Sequence, residues 1–129
     1  MNMDYKNETY KRWGNTDAYR EYTEKTKDYT KEKLSEVNDG LMAIFAEFYE
    51  CKNGGASADS AQAQALVKKL QAYITENYYT CTNEILAGLG KMYTCDERFK
   101  KNIDKCGEGT AEFASCAIII FLEDLLRMY

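Results

Sequence analysis

Proline and histidine are both missing from this chain of 129 residues. Without proline, and with glycine confined to a few short stretches among abundant Ala, Leu, Lys and Glu, the composition favours helices over strands and tight hairpins. Without histidine the chain has neither the commonest general base nor the commonest metal ligand, and no Cys-His catalytic pair. The five cysteines form no C-x-x-C pair and no apolar signal segment precedes them, a pattern expected of a soluble protein in a reducing cytosol. A long apolar run is also lacking. The longest, Ala117 to Leu122, falls far short of the roughly 20 residues that span a bilayer, so no membrane role is expected. Nor is there a basic stripe: the net charge of -4 arises from interspersed acids and bases, which argues against direct nucleic-acid binding.

What remains fits one domain with one hydrophobic core. Residues 4–33 are dense in charge and tyrosine but poor in aliphatic side chains, so this N-terminal arm buries little area alone. Thr16 and Asp17 resemble a helix start. Tyr19, Tyr22 and Thr26 fall on one face beyond it, so the arm forms a helix if something covers that face. Thr30 offers a cap for an amphipathic helix through Leu34, Val37, Leu41, Ile44, Phe45 and Phe48 to Cys51. A loop containing Gly54 and Gly55 leads to a helix capped by Asp59 or Ser60 and carrying Leu66, Val67, Leu70, Tyr73 and Ile74.

Thr80 is the expected cap of the next helix, with Ile85, Leu86, Leu89, Met92 and Tyr93 inward. Gly88 and Gly90 within it permit close approach by another backbone or a ligand, at about 1 kcal/mol each relative to alanine. Asp96 caps a short helix with Phe99 and Ile103, the run Cys106-Gly107-Glu108-Gly109 breaks it, and Thr110 opens the last helix. That helix, apolar nearly all round at its centre, is predicted to run through the middle of the core.

Cys81 is the candidate reactive atom. A thiol in the first turn of a helix meets unpaired N–H groups and the positive end of the helix dipole, which favour thiolate. Tyr78 and Tyr79 before it, and Met92 and Tyr93 after it, supply aromatic and polarisable surface of the kind that lines ligand pockets. The alternative is a small buried hydrophobe. Eleven tyrosines in one small domain, gathered in the arm and around Tyr78 and Tyr79, point to a ligand cleft closed by the arm or to tyrosines at the rim of an ordinary core. Cys95-Asp96-Glu97 is too local for a metal cage, and haem would need a thiolate or tyrosine as axial ligand, so neither metal nor cofactor is expected.

Two longer motifs carry a family resemblance. The arm from Arg12-Trp13-Gly14-Asn15-Thr16-Asp17-Ala18-Tyr19 to Tyr29-Thr30-Lys31-Glu32 resembles the opening signature of TipAS antibiotic-recognition domains. The stretch from Tyr79-Thr80-Cys81-Thr82-Asn83-Glu84 through Gly88-Leu89-Gly90-Lys91-Met92-Tyr93 to Asp96-Glu97-Arg98-Phe99 resembles the second, in the same order. The resemblance implies a globin-like helical fold without haem, the ligand-sensing part of MerR-type transcription activators that respond to thiopeptides, or a free drug-sequestering form of it. It also implies an arm that orders on ligand, and a cysteine, here Cys81, that adds to a dehydroalanine. Where the family has a proline before that cysteine this chain has Thr80, and Asn83 and Leu86 lie in the region where its histidines are expected.

The expectation is therefore an all-α, globin-like bundle of about five to seven helices over residues 1–129, with a mobile arm at 1–29 and a core at 30–129. Its partner is a thiopeptide-like or other bulky antibiotic, with DNA reached only through a MerR-type N-terminal domain outside this chain. Cys81, Trp13, Tyr19, Tyr78, Tyr79, Gly88, Met92 and Tyr93 are the candidate ligand-binding residues, and no catalytic residue is assigned. A thiol-dependent enzyme or a helical protein-interaction domain is the alternative.

Overall fold

A computed structural model describes residues 17–127, and side chains from residue 20 onward. Six helices occupy the described residues: α1 (Asp17–Thr26), α2 (Lys31–Asn53), α3 (Ala61–Asn77), α4 (Asn83–Cys95), α5 (Glu97–Asp104) and α6 (Thr110–Arg127). No strand occurs among them. Each of the four central starts is set by an oxygen that accepts an otherwise orphaned N–H. Thr30 accepts from Lys33, Ser60 from Ala63, Thr82 from Ile85 and Asp96 from Arg98. Asp96 does double duty, because its own N–H closes the last turn of α4 on the Met92 carbonyl at 3.0 Å.

Helix α6 touches α2, α3, α4 and α5, and its most extensive contact is with α4. The sequence explains why the two backbones come so close. Ala111, Ala114, Ala117 and Ile118 on α6 are fully buried, and Gly90 faces them from α4. A Cβ added at Gly90 would lie 3.3 Å from Ile118 Cγ2, and the buried Ser115 hydroxyl donates to the Gly90 carbonyl at 2.8 Å. Phe45, Phe48, Val67, Leu70 and Leu86 fill the remaining centre. As expected from its sequence, α6 runs through the middle of the core, but one stripe of it faces solvent, with Ile119 50% exposed and Leu126 76% exposed.

A second close approach fixes the end of the core nearest α1. The Tyr73 ring of α3 lies where a side chain at Gly40 of α2 would sit, and its hydroxyl donates to the Val37 carbonyl at 2.7 Å. Burial raises the pKa of that hydroxyl above the ordinary tyrosine value. Among the described residues no helix is long and apolar enough to cross a membrane.

Candidate functional site

The connection between α3 and α4, residues 78–82, is the place where the candidate residues meet. Its backbone leaves α3 through two N–H groups, those of Tyr78 and Tyr79, which both donate to the Ile74 carbonyl. After that point side chains hold it. The Cys81 N–H donates to Thr75 Oγ1 at 3.0 Å, and Gln71 Nε2 donates to the Cys81 carbonyl at 2.8 Å and to Asn83 Oδ1 at 3.0 Å.

Cys81 differs from its sequence reading in two respects. The helix starts at Asn83 with Thr82 as its cap, so Thr80 is not the cap and Cys81 lies outside the first turn. The physical reason is that the Cys81 carbonyl is taken by Gln71, so the first helical bond runs from Leu86 N–H to the Thr82 carbonyl, and Thr82 Oγ1 accepts from Ile85 N–H at 3.2 Å. The thiol itself is buried, 4% exposed, and burial pushes its pKa up to about 11. Desolvation disfavours the thiolate, and the thiol donates to the Thr82 carbonyl at 3.9 Å. The small-buried-hydrophobe alternative describes the resting thiol.

Around Cys81 the tyrosines divide into two sets. Tyr93 is core: it is buried, meets Phe45 edge-on at 5.3 Å between centroids, and is held neutral by burial and then by the nearby Cys81 and Tyr78. Tyr78 and Tyr79 face α1. The Tyr22 ring stacks on Tyr78 at 6.3 Å and meets Tyr79 edge-on at 6.5 Å, while the Tyr78 hydroxyl donates to Asn38 Oδ1 at 2.6 Å. Burial raises the Tyr78 hydroxyl well above its usual range, with Tyr73, Tyr22 and Tyr29 adding to the shift. Five rings from α1, the α1–α2 turn, α3 and its connection thus form one wall. The helical face through Tyr22 and Thr26 was legible in the sequence, and Tyr78 and Tyr79 are what cover it.

Polar groups pin the same seam. The Glu21 carboxylate accepts the Thr80 N–H at 2.8 Å through Oε1 and the Thr80 hydroxyl at 2.7 Å through Oε2. That N–H bond, followed by the hydroxyl and by Lys25, holds the Glu21 carboxyl below its ordinary value. Lys25 Nζ lies 3.7 Å from Glu21 and donates to the Thr75 carbonyl, and Tyr29 donates to the Asn77 carbonyl at 2.9 Å. Sequence reasoning missed Glu21, Lys25, Tyr29, Gln71 and Thr75 as site residues. The i, i+4 spacings of Glu21 with Lys25 and of Gln71 with Thr75 are readable; the partners across the seam are not.

Other candidates lie apart. Gly88 is exposed with open space where a side chain would extend, so no close approach explains it, unlike Gly90. Met92 is half-buried against the core one turn further along the same helix. Trp13 lies outside the described residues. Tyr19 is in α1, and its side chain lies outside them too. Among the described residues no group of three Cys, Asp or Glu is placed to hold a metal ion.

With that geometry in place, the comparisons with known proteins agree. Residues 5–121 match the family described as the TipAS antibiotic-recognition domain. The HTH-type transcriptional activator TipA of Streptomyces coelicolor is 39% identical over 115 residues, which cover 89% of this chain and 46% of that protein. The chain thus spans under half the length of that relative. A solved structure of nosiheptide in complex with TipAS, from Streptomyces lividans, matches with a TM-score of 0.84 at 37% identity, covering 95% of this chain and 85% of that one. The antibiotic binding domain of a TipA-class multidrug resistance transcriptional regulator matches with a TM-score of 0.64 at 30% identity, covering 69% of this chain and 95% of that one.

Proposed function

This chain belongs to the family of TipAS antibiotic-recognition domains, with the globin-like helical fold of that family, and from that membership we propose that it binds a bulky, ring-rich antibiotic of the thiopeptide kind along the seam between α1 and the α3–α4 connection. The observation that carries this reading is the wall of Tyr22, Tyr29, Tyr73, Tyr78 and Tyr79 at that seam. Tyrosine offers a broad contact face and a hydroxyl at low entropic cost, which suits flat heteroaromatic ligands. Trp13 and Tyr19 belong to the same arm and are assigned to the ligand as well, and Gly88 and Met92 are assigned to it from α4, apart from the seam. In this reading residues 1–29 form a mobile arm and residues 30–129 the core to which it docks.

Recognition is reversible at first contact. Burial holds the Cys81 thiol protonated, with its pKa pushed up to about 11, which disfavours both a thiol enzyme and rapid covalent capture. Covalent addition to a dehydroalanine belongs to a later step, after the seam has opened. The whole protein, in this reading, is a cytoplasmic MerR-type activator or a free drug-sequestering form, and DNA contact falls to a part outside this chain.

Ordering the arm costs roughly 1–2 kcal/mol per residue in backbone entropy, which binding must offset. Titration with nosiheptide is therefore expected to raise the melting temperature and the helical circular dichroism signal together. A melting temperature unmoved by a panel of thiopeptides and other bulky antibiotics at saturating concentration would overturn the assignment.

A further inference from the structure

Gln71 and Asn83 form a locked pair of side-chain amides where the α3–α4 connection enters α4. Gln71, half-buried on α3, donates through Nε2 to the Cys81 carbonyl at 2.8 Å and to Asn83 Oδ1 at 3.0 Å. A backbone carbonyl only accepts, so it is the Gln71 nitrogen that faces it, and both protons of that nitrogen are spent. One acceptor and one donor are left over, Gln71 Oε1 and Asn83 Nδ2, and neither bonds to a described residue. No buried side-chain oxygen or nitrogen lacks a partner among the described residues, so both of these atoms are open to solvent.

Neither amide is at liberty to turn end for end. Flipping Gln71 would set its oxygen against the Cys81 carbonyl, and flipping Asn83 would set two NH2 groups against each other. The orientation is therefore fixed before a ligand arrives, which lowers the entropic cost of binding there. A group that answers both free atoms must carry a donor and an acceptor side by side. A carboxylate has no proton for Gln71 Oε1, and an ammonium has no lone pair for Asn83 Nδ2; a neutral carboxamide has both. We propose that Gln71 and Asn83 are a subsite that reads an amide of the ligand, with Gln71 Oε1 accepting an amide N–H and Asn83 Nδ2 donating to an amide carbonyl. This rests on the reading of the chain as a binder of thiopeptide-like antibiotics, and it assigns the peptide part of such a ligand to the start of α4 while the tyrosine rings take its aromatic part. Gln71 lies in α3 and Asn83 opens α4, so the subsite is built without any residue of the N-terminal arm.

Asn83→Asp is the selective variant. It keeps an oxygen to accept from Gln71 and replaces the free donor by a second oxygen, and a carboxylate at the first residue of a helix suits the helix dipole. Titrated with nosiheptide by isothermal calorimetry on the full chain, Asn83→Asp is expected to bind about tenfold more weakly than the parent, as loss of one hydrogen bond with its partner left unpaired does. Its melting temperature without ligand is expected to equal or exceed the parent's, whereas a merely structural role for Asn83 would lower affinity and melting temperature together. Asn83→Ala, which loses both the donor and the bond to Gln71, is expected to bind at least as weakly as Asn83→Asp. Equal affinity in Asn83→Asp and the parent would overturn the subsite and leave the functional reading standing. So would a deficit in Asn83→Asp that high salt abolishes, since that reports the added charge and not the lost donor. A parent chain that binds neither nosiheptide nor any other thiopeptide of the panel would overturn both.

Discussion

Two seams of this molecule are built on opposite principles. Where α4 meets α6, Gly90, Ala114, Ala117 and Ile118 bring two backbones together, and a single buried hydrogen bond, Ser115 to Gly90, crosses the contact. Where α1 meets the α3–α4 connection, the contact is made of a carboxylate, an ammonium, hydroxyls and the half-buried rings of Tyr22 and Tyr79 beside the buried ring of Tyr78. Burial of Ile118 at the first seam contributes about 1.5–3 kcal/mol, and each buried alanine methyl about 0.8 kcal/mol. At the second, an exposed ion pair contributes at most about 1 kcal/mol and a hydrogen bond about 0.5–1.5 kcal/mol. The first seam therefore parts only when the protein unfolds. The second is able to open alone, as a local event of low free energy, which is the property a ligand-gated arm requires.

The largest test strikes the apolar seam. Ile118→Ala removes a fully buried side chain that packs on Gly90, and is expected to destabilise the whole domain by about 2–5 kcal/mol, read as a shift of the urea midpoint. Hydrogen exchange in α1 and in the core should then accelerate together. Tyr22→Ala is the smaller, opposite case. It deletes the ring on Tyr78 and Tyr79, worth about 0.5–1.5 kcal/mol beyond its area, and is expected to speed amide exchange in residues 17–26 while leaving the urea midpoint nearly unmoved. A midpoint shift as large as that of Ile118→Ala would erase the distinction between the seams.

Acid gives the smallest effect and the most selective one. The Glu21 carboxyl is held below its ordinary value when α1 is docked, so docking favours the ionised form. Its contribution is fully present above the unfolded carboxyl range and is lost as pH falls through the lowered docked value. Amide exchange in α1, corrected for its intrinsic pH dependence, should therefore lose protection on acidification in the parent chain and show no such step in Glu21→Ala. An identical acid profile in the two would remove Glu21 from the docking account.

Most of the core was legible because its determinants are local. Val37, Ile44, Phe45 and Phe48 mark one face at helical spacing, and Thr30, Ser60 and Asp96 announce helix starts within a few residues of the groups they cap. The start of α4 was misread, and with it the state of Cys81. Thr80 and Thr82 are equivalent as local caps; what separates them is Gln71, on the preceding helix, which takes the Cys81 carbonyl out of the helical ladder and leaves the first turn to start at Thr82. The same limit hid the site. The tyrosines around Tyr78 were visible as a surplus, but their grouping depends on α1 crossing the connection, and no periodicity encodes that crossing. Gly88 and Gly90 look alike in sequence for the same reason, since only the position of Ile118 tells them apart.

Asp96 serves α4 and α5 at once, ending one helix with its N–H and starting the next with its carboxylate. A joint of one residue has no slack. Helices joined this way form a rigid elbow, and because α4 is held to α6 at Gly90 along the 13 residues of its length, the elbow keeps its place when the α3–α4 connection opens. Opening at one end of the bundle is thus insulated from the other, and α5 stays fixed while the connection moves.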